Sequence, residues 1–261
     1  MRVPLVRRSR TPVVRHDTRR RRARRRQAVW VGGELLVTVG VVLLLLVVHQ
    51  LWWTNREARR GAERKVEALE REWGTGAPTP PVGDAPEVEG SGEPQVPLTR
   101  GQPTTRPAQP SWSQAYAILT IPRLHLRVPV AEGVGKQEVL NKGYVGHYPG
   151  TQQPGQAGNF ALAGHRNTHG EPFRYINRLA AKDTIEVETR TAVYTYAVDK
   201  TLDRTSAHDA GVLNRIPRSI VRTAYGYSEP GYYLTLTTCT PEYTSRYRLV
   251  VWAKLTSMRP R

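Results

Sequence analysis

The sequence predicts an all-β domain, a closed barrel or a sandwich, preceded by a single transmembrane helix. Three observations predict it. Residues 29–53 are an almost unbroken apolar run. Residues 74–111 are dominated by Pro, Gly, Thr and acids. From Trp112 onward, short β-branched or aromatic runs recur between turn clusters, with little that reads as helix.

The formal charge of +17 would suggest nucleic acid or anionic lipid as a partner if it were spread over a folded surface. It is concentrated instead: residues 1–26 carry twelve arginines against one acid, Asp17. Beside an apolar span, such a tail is accounted for by the positive-inside rule without a nucleic-acid partner. Residues 1–28 are therefore expected in the cytoplasm, residues 29–53 in the membrane, and everything from residue 54 outside the cell. At about 1.5 Å rise per residue the apolar run crosses a hydrocarbon core of roughly 30 Å, and Trp30, Trp52 and Trp53 sit where an interfacial aromatic belt would lie. A cleaved signal peptide has a shorter apolar core, about 7–15 residues, followed by a small-x-small site. Here the run continues into His49, Gln50, Leu51 and two tryptophans.

Residues 54–73 mix both charge signs at helical spacing with little apolar surface, so a solvated juxtamembrane helix with no core to bury is expected. Residues 74–111 cannot offset their ordering entropy and read as a disordered or extended linker. At about 3 Å per residue when extended, this linker reaches on the order of 100 Å, enough for a wall-spanning tether.

The folded domain is assigned to residues 112–258. "AYAILTIPRL", "LRVPVAEG", "NFALAGHR", "DTIEVET", "AVYTYAVDKTL", "YYLTLTTC" and "YRLVVWAKL" read as strands, and the only helices expected are short ones near "KQEVLNKG" and "PFRYINRLAAKD". Seven or eight strands in about 145 residues indicate a barrel or sandwich. The connection 213–231 is long for a compact domain, which makes it either part of a peptide groove or surface decoration.

Cys239 is the only cysteine, which excludes an internal disulfide and a Cys-cluster metal site; no metal or cofactor is expected. Strand alternation puts Tyr233, Thr235, Thr237 and Cys239 on one face. A hairpin loop over 240–245 would pair Cys239 with Arg246 and Thr237 with Arg248, leaving Arg248 diagonal to the thiol on the same face at roughly 7–8 Å. A one-residue slip would send Arg248 to the other face. A thiol becomes a strong nucleophile as thiolate, usually beside a cation or a general base. Of seven histidines, His16 and His49 lie in the tail and the span. His165 ends a strand at "NFALAGHR", and His147 in "GYVGHYPG" is its rival; spacing does not choose between them. Singly, each feature has an ordinary explanation: a buried thiol, a solvated edge arginine, a surface histidine.

Together these residues do more. "TLTTC" with Arg248 nine residues on in "RLVVWA", preceded by "PGQAGNFALAGHR" and "LTIPRLHLRVPVAEG", resembles the sortase family of cysteine transpeptidases over about 115–256. The Cys-Thr-Pro-x-Tyr continuation and "GHYPGT..PG" resemble its class E branch from high-GC Gram-positive bacteria. The resemblance implies an eight-stranded sortase-type β-barrel with one or two short helices, in which Cys239, His165 and Arg248 meet at one end, and it selects His165 over His147. It implies further that Cys239 attacks the Thr-Gly carbonyl of an LPxTG or LAxTG sorting signal through a thioacyl-enzyme, with His165 as general acid and base and Arg248 at the substrate or oxyanion. The partners implied are secreted proteins with a C-terminal sorting signal and an amine of a peptidoglycan precursor. A pilin-polymerising sortase and a non-catalytic tethered binding domain are the alternatives. The sequence shows no third carboxylate or amide to orient His165, so both pKa values are expected near those of free side chains and the enzyme is expected to be slow. Tyr148 and Tyr243 flank the site in sequence as candidate peptide contacts.

Overall fold

The computed structural model describes residues 16–74 and 110–261. Most of the arginine tail and nearly all of the linker expected over 74–111 lie outside the described residues. One helix, α1, runs over His16–Gly74. The chain divides into two compact units between Trp52 and Trp53, inside this helix. In the first unit α1 is long and apolar enough to cross a membrane, and its Val29–Val48 side chains are exposed among themselves.

The second unit is built on eight strands: β1 (Ala115–Ile121), β2 (Leu126–Glu132), β3 (Val145–His147), β4 (Gly158–Ala163), β5 (Thr184–Thr189), β6 (Ala192–Ser206), β7 (Tyr232–Thr240) and β8 (Tyr247–Pro260). They close into a barrel in the order β1-β2-β3-β4-β7-β8-β6-β5. Closure removes the free edges that an open sheet would have to protect. β8 ends at Pro260, two residues beyond the boundary expected at 258. The helices expected near 136–143 and 172–183 are single 3-10 turns, Leu140–Lys142 and Ile176–Arg178. The first is stopped at Gly143, whose φ of +80 ends the turn in the left-handed region.

Alternation decides what fills the barrel. Leu234 and Leu236 of β7, Leu249 and Val251 of β8, and Phe160 and Leu162 of β4 join Leu119, Val130, Val187 and Tyr196 in the interior cluster. The residues between them, Thr235, Thr237, Val250 and Trp252, face outward, yet they too are buried. Thr235, Val250 and Trp252 are covered by the long connection before β7, where Val212 and Tyr227 pack on Leu202, Tyr233, Val250 and Trp252 with the Tyr227 and Tyr233 rings stacked at 4.2 Å; Thr237 lies instead beside Tyr148. Asp209 pins this segment by accepting hydrogen bonds from Thr205 Oγ1, Ser219 Oγ and the Ile220 amide.

The juxtamembrane residues differ from expectation. Ala58, Ala62, Val66 and Leu69 are buried, at 8%, 5%, 4% and 2% exposure. Their spacing of four, four and three residues makes one stripe on α1. Val66 and Leu69 pack with Ala115, Ile118, Ala131 and Val139, and Ala62 joins the main cluster. The segment read as a solvated helix therefore has a core-facing side. Its signal is faint because two of the four residues are alanines set among arginines and glutamates.

Candidate active site

Three strand ends meet where the site lies. β4 and β7 are parallel, with Ala161 opposite Thr235 and Ala163 opposite Thr237. Two residues further along each chain come His165 and Cys239, so the histidine leaves β4 level with the thiol on the neighbouring strand. The chain beyond β4 stays stitched to β7: Gly164 N donates to Thr237 O at 3.2 Å, and Thr238 Oγ1 donates to Gly164 O at 2.8 Å. Gly164 is required there, because a Cβ would come within 2.7 Å of the Phe173 ring. β7 turns into the antiparallel β8, which begins at this same end.

The hairpin register differs from the expected one. Cys239 pairs with Arg248 and Thr237 with Val250, so the loop is 241–246 rather than 240–245. The difference of two residues preserves the face, and Arg248 stands directly opposite Cys239 instead of diagonal to it. Cys239, His165 and Arg248 are each half-buried, just beyond the part of the outer face that the 210–231 segment covers. Arg248 Nη1 donates to Ser245 O at 2.9 Å and to Tyr247 O at 3.0 Å. Cys239 and Arg248 thus share one face at one end of the barrel, and His165 leaves β4 at that same end.

His147 does not join them. It pairs with Leu162, an interior residue of β4, and its ring lies 5.0 Å from that of Phe160. It is 1% exposed; Nδ1 lies 2.6 Å from Glu132 Oε2, and Nε2 lies 2.9 Å from Thr151 Oγ1 and 3.1 Å from Gln152 O. Both nitrogens are engaged in holding the barrel interior.

A family model described as a sortase domain matches residues 119–256. The chain belongs to the sortase family. It is 42% identical over 217 residues to sortase SrtE1 of Streptomyces coelicolor, covering 81% of this chain and 53% of that protein. It is 35% identical over 210 residues to sortase SrtE2 of the same organism, covering 78% of this chain and 73% of that one. This chain therefore spans about half the length of the first relative. A crystal structure of sortase E1 from Streptomyces coelicolor with a tripeptide in the active site superposes with a TM-score of 0.54 at 48% identity, covering 59% of this chain and 94% of that one. Sortase E from Streptomyces avermitilis superposes at 0.51 with 39% identity, covering 57% and 93%. These likenesses place this sortase in class E.

Around the three residues, this sortase has further neighbours: Tyr148 and Tyr243, which the sequence offered as candidate peptide contacts, and Arg166 and Asn141, which it did not single out. Arg166, 7% exposed, donates through Nη1 to Cys239 O at 3.2 Å and to Thr240 Oγ1 at 2.8 Å, fixing the backbone that carries the thiol. Tyr148 lies on the same face, its amide on Ala161 O and its hydroxyl 3.0 Å from Thr237 Oγ1. Since Thr237 Oγ1 itself donates to Leu162 O at 3.1 Å, the Tyr148 hydroxyl is the donor of that pair. Tyr243 is 75% exposed, its hydroxyl 3.2 Å from Arg174 Nη2. His165 Nε2 lies 2.9 Å from Asn141 Oδ1, so an amide does contact the histidine, contrary to the expectation that none is present. Nor does His165 stay near an ordinary imidazole: burial, with the charges of His169 and Lys136 added, pushes it down to about 4. An amide 24 residues away leaves no periodic trace in a sequence, and burial of a strand-end histidine depends on loops packed over it. Among the described residues, no group of three or more His, Cys, Asp or Glu is arranged to hold a metal ion.

Proposed function

We propose that this class E sortase is a membrane-anchored cysteine transpeptidase. It cuts a sorting signal of the LAxTG or LPxTG type between Thr and Gly and joins the secreted protein to an amine of a cell-wall precursor. The observation that carries this reading is the pairing of Cys239 with Arg248 on one face of β7 and β8, with His165 leaving the neighbouring β4 level with the thiol. The relative solved with a tripeptide in its active site supports it.

The chemistry follows from the resting state. His165 is neutral at physiological pH, so it accepts the thiol proton as Cys239 Sγ adds to the Thr carbonyl carbon. The carbonyl oxygen becomes an oxyanion, and Arg248 stabilises charge that exists only at this stage. Its Nη1 is occupied by the hairpin carbonyls, leaving the other guanidinium donors for the oxyanion. Collapse breaks the C–N bond, the imidazolium gives its proton to the departing glycine amine, and a thioester remains. The acceptor amine then attacks the thioester, loses a proton to His165, and restores the Cys239 thiol as the new amide forms. One amide is exchanged for another, so no external energy source is needed.

The peptide runs over the outer face of β4, β7 and β8, bounded by Tyr148 and by the 213–231 connection. The arginine tail sets the N-terminus in the cytoplasm and the barrel outside. The test is to incubate the full chain in detergent with quenched fluorescent LAxTG and LPxTG peptides and an amine, beside Cys239→Ala and His165→Ala. Amine-dependent ligation lost in both variants supports the reading; intact peptides under every condition overturn it.

A further inference from the structure

We propose that Asn141 is a positioning residue for His165, holding the ring as its Nε2–H tautomer and leaving Nδ1 as the nitrogen that exchanges protons. The inference deepens the transpeptidase reading and, for its catalytic consequence, rests on it. A carboxamide oxygen can only accept, and Asn141 Oδ1 lies 2.9 Å from His165 Nε2, so Nε2 carries the hydrogen. A neutral imidazole has one N–H, which leaves the lone pair on Nδ1. Burial keeps the ring neutral, so one tautomer is held rather than an imidazolium. A ring flip would take Nε2 away from Asn141 and break the bond. The His169 ring, stacked on His165 with centroids 5.3 Å apart and planes at 29°, restricts its tilt.

Asn141 is itself held, as a positioning residue must be. It sits in the 3-10 turn Leu140–Lys142, with its amide on Lys136 O at 2.7 Å and the Leu140 amide on Gly135 O at 3.1 Å. Val139, just before the turn, is fully buried against Val66 and Leu69 of α1. Just after it, Gly143 lies so close to α1 that a Cβ would come within 2.8 Å of Ala58 O. The turn is thus fastened to the docked part of α1 on one side and reaches His165 on the other.

The test uses the full chain in detergent micelles, with 15N-labelled histidine and His165 assigned through His165→Gln, together with steady-state ligation by wild type, Asn141→Ala and Asn141→Asp. The expected wild-type spectrum shows His165 as the Nε2–H tautomer, and Asn141→Ala shows a mixture. Asn141→Ala should lower kcat about tenfold at unchanged KM, the loss of one well-placed hydrogen bond. Asn141→Asp keeps the acceptor and adds a negative charge that favours imidazolium, so it should retain activity with its acid limb moved to higher pH. A merely structural role would shift the thermal midpoint without moving the tautomer or the acid limb. A wild-type Nδ1–H tautomer, or Asn141→Ala with tautomer and kcat as in wild type, overturns the proposal. If wild type ligates no sorting peptide, the transpeptidase reading fails, and the histidine spectra still decide what Asn141 does.

Discussion

Cys239 and Arg248 stand directly opposite each other across β7 and β8, one pair short of the hairpin loop. Opposed residues in an antiparallel pair lie about 4.5–5.5 Å apart at Cα, so the thiol and the guanidinium share one patch of the outer face. The guanidinium is braced by the Ser245 and Tyr247 carbonyls, which cost it little mobility to keep and leave it pre-aimed. Arg248→Ala is expected to lower kcat/KM by about 10²–10³, the usual loss for one oxyanion donor, while the thiol still reacts with a small alkylating reagent. Arg248→Lys should not rescue it, because an ammonium lacks the planar fork that serves backbone and oxyanion together. Ligation at the wild-type rate by either variant would remove Arg248 from the mechanism.

The shared face was readable because period-two alternation survives an error of two residues in register. The loop length was not, since "TPEYTSR" contains turn formers throughout and offers no single break. The docked stripe of α1 was hidden by alanines, whose burial depends on the surface they meet. Asn141 and Arg166 were hidden for a different reason: each acts through contacts to residues distant in sequence. Short local patterns reported strand and face; long-range contacts decided what supports them.

The position of His165 makes a pH prediction. Burial comes first among the causes, and the nearby His169 and Lys136 charges add to it, taking the ring from 6.5 to about 4. Between these values the folded chain binds fewer protons at this site than the unfolded chain. The contribution to stability is therefore full above about pH 6.5 and is lost as pH falls toward 4. The same shift keeps the base form available in the free enzyme, so the acid limb of kcat/KM should fall near pH 4. Lys136→Glu replaces a repelling charge with an attracting one and should move that limb upward. A wild-type limb at the ordinary histidine value would show that the site does not exclude water as packed here.

The docked half of α1 makes a stability prediction. Leu69 is 2% exposed beside Val139, Ile118 and Ala131. Leu69→Ala is expected to destabilise by about 2–5 kcal/mol, the range for deleting a buried leucine side chain. For a domain of this size that lowers Tm by more than about 4 °C. A chain beginning at Trp53 should melt above one beginning at Pro110, because only the first keeps the stripe of Ala58, Ala62, Val66 and Leu69. Equal melting temperatures would mean that the stripe adds nothing to the barrel, and Leu69→Ala should then be silent.

Glu171 ties three parts of the second unit together. Its buried carboxylate accepts from Asn55 Nδ2 at 2.9 Å and Arg59 Nη2 at 3.0 Å on α1, and from Arg174 Nη1 at 2.6 Å. Arg174 passes the connection to the Tyr243 hydroxyl in the loop between Cys239 and Arg248. Arg59 Nε also holds Gly170 O at 3.0 Å, next to His169 and four residues before Arg174. Arg59 is 57% exposed along its side chain, so that pair alone is screened and weak, whereas Glu171 is 5% exposed and cannot be rehydrated when its partners leave. Arg59→Ala should therefore cost about 1 kcal/mol or less, and less again at high salt. Glu171→Ala should cost more than Arg59→Ala and should also lower kcat, since it frees the loop that carries His169 and removes the carboxylate that anchors Arg174 where it meets the hairpin. Glu171→Gln keeps the shape and part of the hydrogen bonding and should fall between them. Thermal melts and ligation rates of the three variants check the order, and a Glu171→Ala chain as stable and as fast as Arg59→Ala would sever the link from α1 to the hairpin.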